Sequence, residues 1–411
     1  METTDGNYHA IVFGASGVIG WSVVDQLLSN HGGIDVFSKV TAVTNRQVDL
    51  TESQWPINPL GGPEVQLISG IDLRQSEPNG VAKALKEKVR GVDKVSHIYY
   101  FAFTQVDDPI EEVDVNKRML KNVLGAVTFL FPSLKFVVFP GGTRGYGIYI
   151  PGGTFKPPLT EPMVDNLPAD YAKTVVYPAH REFLSAACRG KEWTWCEVCP
   201  DAIIGFTPNG SQYSLALHWA QYLSLYAYNH GIGLRTQSGG TSEPVEVPFP
   251  GNEAAYNALS SPVSARTLAR FSIYASLHPE TGGGGQIFNV ADREEPSSFK
   301  DVWPGLAAWF GLLGVGPIGE VPGPVASGAS LKPGEYIRLH SHVFSELGLH
   351  KALISGVGAG RNQLDSVGSW LTFDRQLSLK KLRGSGFDEE RDPIAGWVGS
   401  FELFRKAGLI L

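Results

Sequence analysis

Cysteine and charged residues are both scarce in this chain. Three cysteines among 411 residues are too few for a disulfide framework, so a reducing, cytoplasmic location is expected. Charged residues make up 18% of the chain, below the ~25% of an average soluble protein, and hydrophobic residues make up 43%. This low charge and high hydrophobic content together exclude a disordered chain. The formal net charge of -7 argues against nucleic acid or an anionic membrane as the main partner.

Long apolar runs are also missing. No stretch reaches the ~18 consecutive apolar residues that a membrane span needs. The polar N-terminus carries Glu2 and Asp5 without a basic stretch followed by an apolar one, so no secretory signal is expected. At ~100–200 residues per domain, the length indicates one large domain or two joined ones.

No metal site is predicted. Cys196 and Cys199 lie three apart in a strand-like segment, so their side chains should point to opposite faces of the strand. His340 and His342 have no accompanying cluster of acids or cysteines, which favours an ordinary surface loop.

The first fifty residues show a strand, a glycine turn, a helix and a second strand. A short apolar run at residues 10–13 is typical of a buried parallel strand. It ends in a Gly-x-x-Gly-x-x-Gly turn at 14–20, before helically spaced apolar residues at 23–28 and a second strand at 40–44. Glycines in such a turn let a phosphate reach the free N–H groups at the helix start. The pattern therefore predicts a dinucleotide site.

The end of the second strand indicates which nucleotide binds. Enzymes that use NAD carry an acidic residue there for the ribose 2′-hydroxyl, whereas this chain has Asn45 and Arg46. A guanidinium can pair with a 2′-phosphate, which favours NADP(H); an ordinary solvated arginine is the alternative. A third strand over 66–73 is expected to end at Asp72, whose carboxylate would bind the adenine amine.

The later elements continue the alternation of strands and helices. Strands are predicted at 95–103, 136–139 and 194–198, with helices at 116–124 and 178–187 between them. This order resembles that of the extended short-chain dehydrogenases and reductases. It implies an α/β Rossmann fold with a doubly wound parallel sheet and a smaller, mostly helical C-terminal substrate region. Residues 1–204 are expected to form the NADP-binding domain with the catalytic tyrosine. Residues 205–411 would form a substrate-binding lid region, with a strand near 286–291 returning to the first domain.

The Tyr-x-x-x-Lys motif of those enzymes is absent, because Val175 follows Tyr171 and Arg181 follows Tyr177 at the fourth position. The chain instead resembles a divergent branch over almost its whole length. This branch is the plant progesterone 5β-reductase and iridoid synthase (PRISE-like) family, with its fungal and bacterial relatives. The segments that carry the resemblance are 14–20, 72–73, 116–124, 142–146, 175–177, 199–208, 286–290 and 386–397.

The resemblance implies a catalytic pair. The family's catalytic tyrosine aligns with Tyr177, and its lysine aligns with Arg144. Arginine is charged at any workable pH and exchanges a proton poorly, so Arg144 would stabilise a tyrosinate or an enolate rather than relay a proton. Lys173 and Arg181 are further cations near Tyr177 in the sequence, and Tyr146 is the second candidate tyrosine.

The resemblance also implies a substrate pocket. Phe103 stands where the family carries a pocket tryptophan, and Tyr146 and Phe206 would lie nearby. Such a pocket suits a large apolar substrate with one polar group. The residues expected to contact NADP(H) are Gly14, Ser16, Gly17, Val18, Ile19, Gly20, Asn45, Arg46, Asp72, Leu73, Ala102, Tyr177 and Ile203.

These residues and the resemblance together predict an NADPH-dependent reductase. Its substrate would be an α,β-unsaturated carbonyl (enone or enal) or a ketone in a bulky apolar small molecule of secondary metabolism. A non-redox isomerase or cyclase on the same fold is one alternative, and a non-catalytic NADP-binding sensor is another. The oligomeric state is left open, with a homodimer as one alternative.

Overall fold

The computed structural model describes residues 7–57, 62–75, 79–211, 213–232, 243–318, 331–359 and 363–411. It divides the chain into two compact units. The first unit comprises residues 1–201, 266–291 and 378–389, and the second comprises 202–265, 292–377 and 390–411. The first unit is therefore built from three separate stretches of chain.

Seven parallel strands form the sheet of the first unit. In chain order they are β1 (Tyr8–Phe13), β2 (Phe37–Val43), β3 (Glu64–Ile68), β4 (Val95–Tyr100), β5 (Phe136–Pro140), β6 (Thr194–Pro200) and β10 (Gln286–Val290), so numbered because three short strands of the second unit precede it. Their order in the sheet is β10-β6-β5-β4-β1-β2-β3, and all neighbours run parallel. This arrangement confirms the predicted doubly wound Rossmann sheet.

Helices cover both faces of this sheet. They are α1 (Val18–Leu28), α2 (Gly80–Lys88), α3 (Pro109–Leu130), α4 (Ala169–Ala172), α5 (Tyr177–Cys188), α8 (Ala265–Leu277), α9 (Pro279–Gly282) and α15 (Lys380–Gly384). On one face, Leu85, Leu120 and Leu184 bring α2, α3 and α5 into one buried core. On the other face, the Tyr99 hydroxyl lies 2.7 Å from the Ser276 hydroxyl of α8. Alternate side chains of β4 thus serve opposite layers.

Two predicted strands end earlier than expected, and both differences affect the site. The third strand stops at Ile68, because Gly70, at φ +78°, turns the chain before Asp72. The fourth stops at Tyr100, so Phe103 lies in the loop beyond it. The helix predicted at 116–124 is the middle of α3, which begins earlier because the Asp108 carboxylate caps its first turn.

The second unit is mostly helical. Its strands are β7 (Ile203–Ile204), β8 (Glu246–Pro248), β9 (Val263–Ser264) and β11 (Leu313–Val315). Its helices are α6 (Leu215–Asn229), α7 (Glu253–Asn257), α10 (Phe299–Trp309), α11 (Pro333–His340), α12 (His342–Glu346), α13 (His350–Ile354), α14 (Val367–Trp370) and α16 (Pro393–Lys406). The Trp219 ring on α6 stacks on Trp397 at 5.2 Å and meets Trp303 edge-on at 5.4 Å. The aromatic face of α6 is therefore core.

The described residues also form several short 3-10 helices. They lie at Leu50–Glu52, Val92–Lys94, Thr143–Tyr146, Glu161–Asn166, Gly356–Ala359 and Gln363–Ser366. Residues 311–334 are rich in glycine and proline and contain β11, and residues 319–330 lie outside the described residues. Within the described ranges, no helix combines the length and the apolarity required to cross a bilayer.

Candidate active site

Glycines shape the turn between β1 and α1. Gly14 has φ +78°, and a Cβ atom there would lie 2.6 Å from the backbone carbonyl carbon of Phe101. A Cβ on Gly20 would lie 2.2 Å from the Gly14 carbonyl oxygen. At Gly17, by contrast, a Cβ would come within 4 Å of one atom among the described residues, the Gly14 oxygen at 3.3 Å. Gly14 and Gly20 are thus needed for close backbone packing, whereas Gly17 is less tightly enclosed.

Gly17 lies at the start of a helix. Gly17 is the N-cap of α1, and no side chain of the cap accepts a hydrogen bond there. The first N–H groups of a helix lack intrahelical acceptors and carry partial positive charge, so they can bind an anion. The turn therefore has the shape and polarity of a pyrophosphate site.

Apart from Tyr177, which begins α5, the other predicted nucleotide contacts in the first unit lie at the carboxyl-terminal edge of the sheet. They follow the carboxyl ends of β1 to β4, which are neighbours in the sheet, and the order of strands reverses between β1 and β4. The residues concerned are Ser16, Val18 and Ile19 after β1, Asn45 and Arg46 after β2, Asp72 and Leu73 after β3, and Ala102 after β4. The fold thus brings these separate segments to the crevice where Rossmann folds bind nucleotides.

Arg46 and Asp72 differ in their local environments. Arg46 is exposed, and its guanidinium forms no ion pair with the residues that the structure describes. Asp72 is already engaged, because Nε and Nη2 of Arg74 donate to its two carboxylate oxygens at 2.9 and 2.8 Å. These hydrogen bonds hold the pKa of Asp72 below its ordinary value. The predicted contact of Asp72 with adenine would compete with Arg74, a residue that sequence reasoning missed.

Ile203 and Phe206 belong to the second unit. Ile203 lies in β7 and pairs with Val263 of β9. Phe206 is buried, and its ring lies 5.3 Å from that of Phe404. Their predicted roles in binding cofactor and substrate stay predictions.

Tyr177 begins α5 and lies against the turn that follows β5. Pro178 in the first turn suits this helix start, since proline has the required φ and no N–H to satisfy. A Cβ on Gly142 would be 3.2 Å from the Tyr177 hydroxyl oxygen, and a Cβ on Gly145 would be 3.3 Å from its ring. The two glycines therefore allow the turn to approach the tyrosine closely.

The electrostatic environment of Tyr177 keeps its hydroxyl protonated. Burial raises the pKa of Tyr177 well above its ordinary value, while the positive charge of Arg144 acts in the opposite direction. At neutral pH the hydroxyl is therefore a hydrogen-bond donor placed near a cation.

Arg144 is held in place from several sides. It lies in the 3-10 helix after β5, and its side chain is 19% exposed. Its Nη1 donates to Oε1 of Glu112 in a close ion pair, and its Nη2 donates to the Thr174 carbonyl oxygen at 2.7 Å. Its guanidinium carbon lies 5.4 Å from the centroid of the Tyr149 ring. Sequence spacing gives no signal for the contacts with Glu112 and Tyr149.

The two alternative cations are paired elsewhere. Lys173 is exposed and forms an ion pair with Asp170 at 2.9 Å. Arg181, one turn after Tyr177 on α5, donates from Nη1 to the buried Glu197 at 2.9 Å. Of the cations considered from the sequence, Arg144 is the one whose charge acts on Tyr177.

The two remaining pocket predictions, Phe103 and Tyr146, have opposite environments. Phe103 is 47% exposed beyond β4 and is available to a ligand. Tyr146 is buried, and its hydroxyl donates to Oδ1 of Asn289 at 2.6 Å. Because this hydroxyl is occupied, Tyr146 is a weaker candidate than Tyr177 for polarising a substrate.

Cysteine and histidine form no ligand cluster in the part of the chain that the structure describes, where no group of three or more His, Cys, Asp or Glu could hold a metal ion. Cys196 and Cys199 are buried free thiols on β6, and burial raises the pKa of both. His340 ends α11 and His342 begins α12, so both lie in helices rather than in the surface loop expected.

Comparison with known proteins gives concordant results. A model of the PRISE-like Rossmann-fold domain matches residues 10–411. The chain is 30% identical to the short chain dehydrogenase sirS of Leptosphaeria maculans, over 100% of this chain and 99% of that protein. It is 24% identical to an (S)-8-oxocitronellyl enol synthase of Nepeta cataria, over 92% of this chain and 85% of that enzyme.

Solved structures show the same fold at low identity. One is a UDP-glucose-4-epimerase from Stenotrophomonas maltophila with bound NAD, with a TM-score of 0.61, 14% identity, and coverage of 97% of this chain and 98% of that chain. Another is a GDP-mannoheptose C4 reductase from Campylobacter jejuni with NADP bound, with a TM-score of 0.56, 13% identity and the same coverage. One holds NAD and the other NADP, so the fold alone does not select the nucleotide.

Proposed function

This chain belongs to the PRISE-like Rossmann-fold family, and on that premise we propose that it reduces an α,β-unsaturated carbonyl compound with NADPH. It is a short-chain dehydrogenase/reductase-like enzyme. The observation that carries the proposal is that the positive charge of Arg144 acts on the Tyr177 hydroxyl. A protonated hydroxyl lies against the turn that carries a fixed guanidinium, while Lys173 and Arg181 are paired elsewhere.

The loops that follow β1 and β2 support the assignment of the nucleotide. Gly17 is the N-cap of α1, and a side chain there would obstruct the approach of a pyrophosphate to the first N–H groups of the helix. Arg46 is exposed after β2, in the place where an acidic residue would favour NAD. We therefore propose NADPH, with Gly17 and the first turn of α1 holding the pyrophosphate and Arg46 pairing with the 2′-phosphate. When bound, NADPH supplies the hydride.

The charges of this chain favour a conjugated substrate. Tyr177 would donate a hydrogen bond to the carbonyl oxygen, and Arg144 would stabilise the negative charge that develops there. Reduction of a ketone needs a proton delivered to that oxygen, and an arginine fixed by Glu112 and Thr174 cannot replenish it. Reduction of an enone needs only that the enolate be held until solvent protonates the α-carbon.

The exposed aromatic residues indicate the kind of substrate. Phe103 is 47% exposed, and Tyr149, beside Arg144, is 52% exposed. Aromatic surface next to one polar group suits a bulky apolar molecule with a single carbonyl. We propose that such a molecule belongs to secondary metabolism and that the enzyme acts in the cytoplasm.

The test is a turnover screen with enones, enals and the matching saturated ketones. NADPH absorbance and product mass are followed together. We expect one NADPH to be consumed for each product, with two hydrogens gained at the carbon–carbon double bond. A product of unchanged mass without NADPH loss would indicate an isomerase or cyclase. Nucleotide binding without turnover of any compound would indicate a sensor.

A further inference from the structure

Helix α3 carries a carboxylate that points away from water. The Glu112 side chain is 5% exposed, whereas the neighbouring Glu111 is exposed and the Asp114 side chain is 71% exposed. A buried charge is unfavourable unless it is paired and hydrogen-bonded. Glu112 meets this condition through Oε1, which accepts from Arg144, and through Oε2, which accepts from the Val106 N–H at 3.4 Å.

Two anchors fix the plane of the Arg144 guanidinium. Nη1 donates to Glu112 on α3, and Nη2 donates to the carbonyl oxygen of Thr174, three residues before Tyr177. A planar guanidinium held through two nitrogens has little rotational freedom. Without Glu112, one anchor remains and the charge is free to turn away from Tyr177.

We propose that Glu112 is a positioning residue that, by holding Arg144, sets where positive charge lies relative to the Tyr177 hydroxyl. This inference rests on the proposed reductase activity. Glu112 also offsets the charge of Arg144 in the resting enzyme. Arg144 is thus already oriented before negative charge develops on the substrate oxygen.

Three single variants test the role of Glu112. Glu112→Ala removes the anchor, Glu112→Gln keeps an acceptor without the charge, and Glu111→Ala is the matched control on the same helix. We expect Glu112→Ala to lower kcat by about 10–100-fold, with the substrate KM and the NADPH Kd changed by less than about 2-fold. The kcat of Glu112→Gln should lie between those of Glu112→Ala and wild type, and the kcat of Glu111→Ala should match that of wild type. If Glu112→Ala does not fold, Glu112→Gln carries the test.

A double-mutant cycle shows whether Glu112 acts through Arg144. Arg144→Ala leaves the buried carboxylate of Glu112 without its positive partner. Adding Glu112→Ala should then cost no further kcat, or restore part of it. Rates are normalised to bound NADPH, so that a loss of folded protein is not counted as a loss of chemistry.

Two results overturn the inference, and they can be told apart. If wild type reduces enones and both Glu112 variants keep its kcat, or if the losses from Glu112→Ala and Arg144→Ala multiply, then Glu112 does not position Arg144. If wild type reduces no enone, the proposed function fails, and the inference fails with it.

Discussion

The turn after β1 and the turn after β5 use different physical means to prepare a site. The first depends on missing side chains, because Gly14 and Gly20 permit close packing and Gly17 leaves room for a ligand. The second depends on side chains that must be present, since Arg144 meets Glu112 on one side and the Thr174 carbonyl on the other. A backbone site can therefore be recognised from seven consecutive residues, whereas a charge-based site requires partners from distant segments.

The largest effect should come from the turn after β5. Tyr177→Phe removes the hydroxyl that would hold the carbonyl oxygen, and we expect kcat to fall by ~10²–10³-fold, the usual cost of one oxyanion donor. NADPH affinity should stay within about 2-fold. Tyr274→Phe is the matched control, since its hydroxyl donates to the Ser385 carbonyl in the same unit. Activity within a few-fold of wild type in Tyr177→Phe would redirect attention to Tyr146.

The turn after β1 is tested by a side chain added to Gly17. Gly17→Val should weaken NADPH binding by about 100-fold or more, because it blocks charge-assisted hydrogen bonds worth roughly 1.5–3 kcal/mol each. The fold should survive, since Gly17 has extended φ and ψ of -89° and 167° and a Cβ there would approach one atom closely, the Gly14 oxygen at 3.3 Å. Nucleotide titration and thermal unfolding measure the two effects. Gly20→Ala should instead destabilise the fold, and unchanged binding in Gly17→Val would place the phosphate elsewhere.

A smaller effect is expected for the preference between NADPH and NADH. Arg46→Glu should weaken NADPH binding by about 10-fold or more and change NADH binding much less, because only NADPH carries the 2′-phosphate. Arg189→Glu is the matched control, since Arg189 is exposed between α5 and β6, at the opposite edge of the sheet. Equal responses of the two nucleotides to Arg46→Glu would contradict the NADP assignment.

The smallest effect is expected for Arg144→Lys. Lysine keeps the positive charge but cannot reach Glu112 and Thr174 together, so kcat should fall by only about 3–10-fold. The kcat of Arg144→Ala should fall much further. An isomerase that grips its substrate with the guanidinium fork would lose activity to a similar degree in both variants. Steady-state kinetics of the two variants side by side make the distinction.

Sequence reasoning was strongest where local rules decide the structure. The β1–α1–β2 unit, its glycine turn and the helix that begins at Tyr177 follow from apolar spacing and from residues adjacent in the chain. The predicted strand end at Asp72 was wrong, because Gly70 turns the chain after Ile68, while the predicted contact of Asp72 with adenine stays a prediction.

It was weakest where separate segments meet. Glu112 and Arg144 are 32 positions apart, and Tyr146 meets Asn289 across 143 positions. Sequence periodicity does not predict such contacts, since they depend on how helices and loops pack on the folded sheet. The candidate catalytic residues were thus foreseen by resemblance, but the partner that holds Arg144 was not.

The pairing of β10 with β6 has a consequence for the synthesis of this protein. Strand β6 is complete at Pro200, but its partner β10 begins at Gln286, so about 90 residues must be translated before that edge can be paired. At ~5–20 residues per second, the edge of β6 that faces away from β5 stays unpaired in the nascent chain for roughly 5–20 s. That strand carries Cys196 and Cys199, which are buried in the finished fold. A chain held in this interval would expose an unpaired strand edge, which is prone to pair with other chains and aggregate.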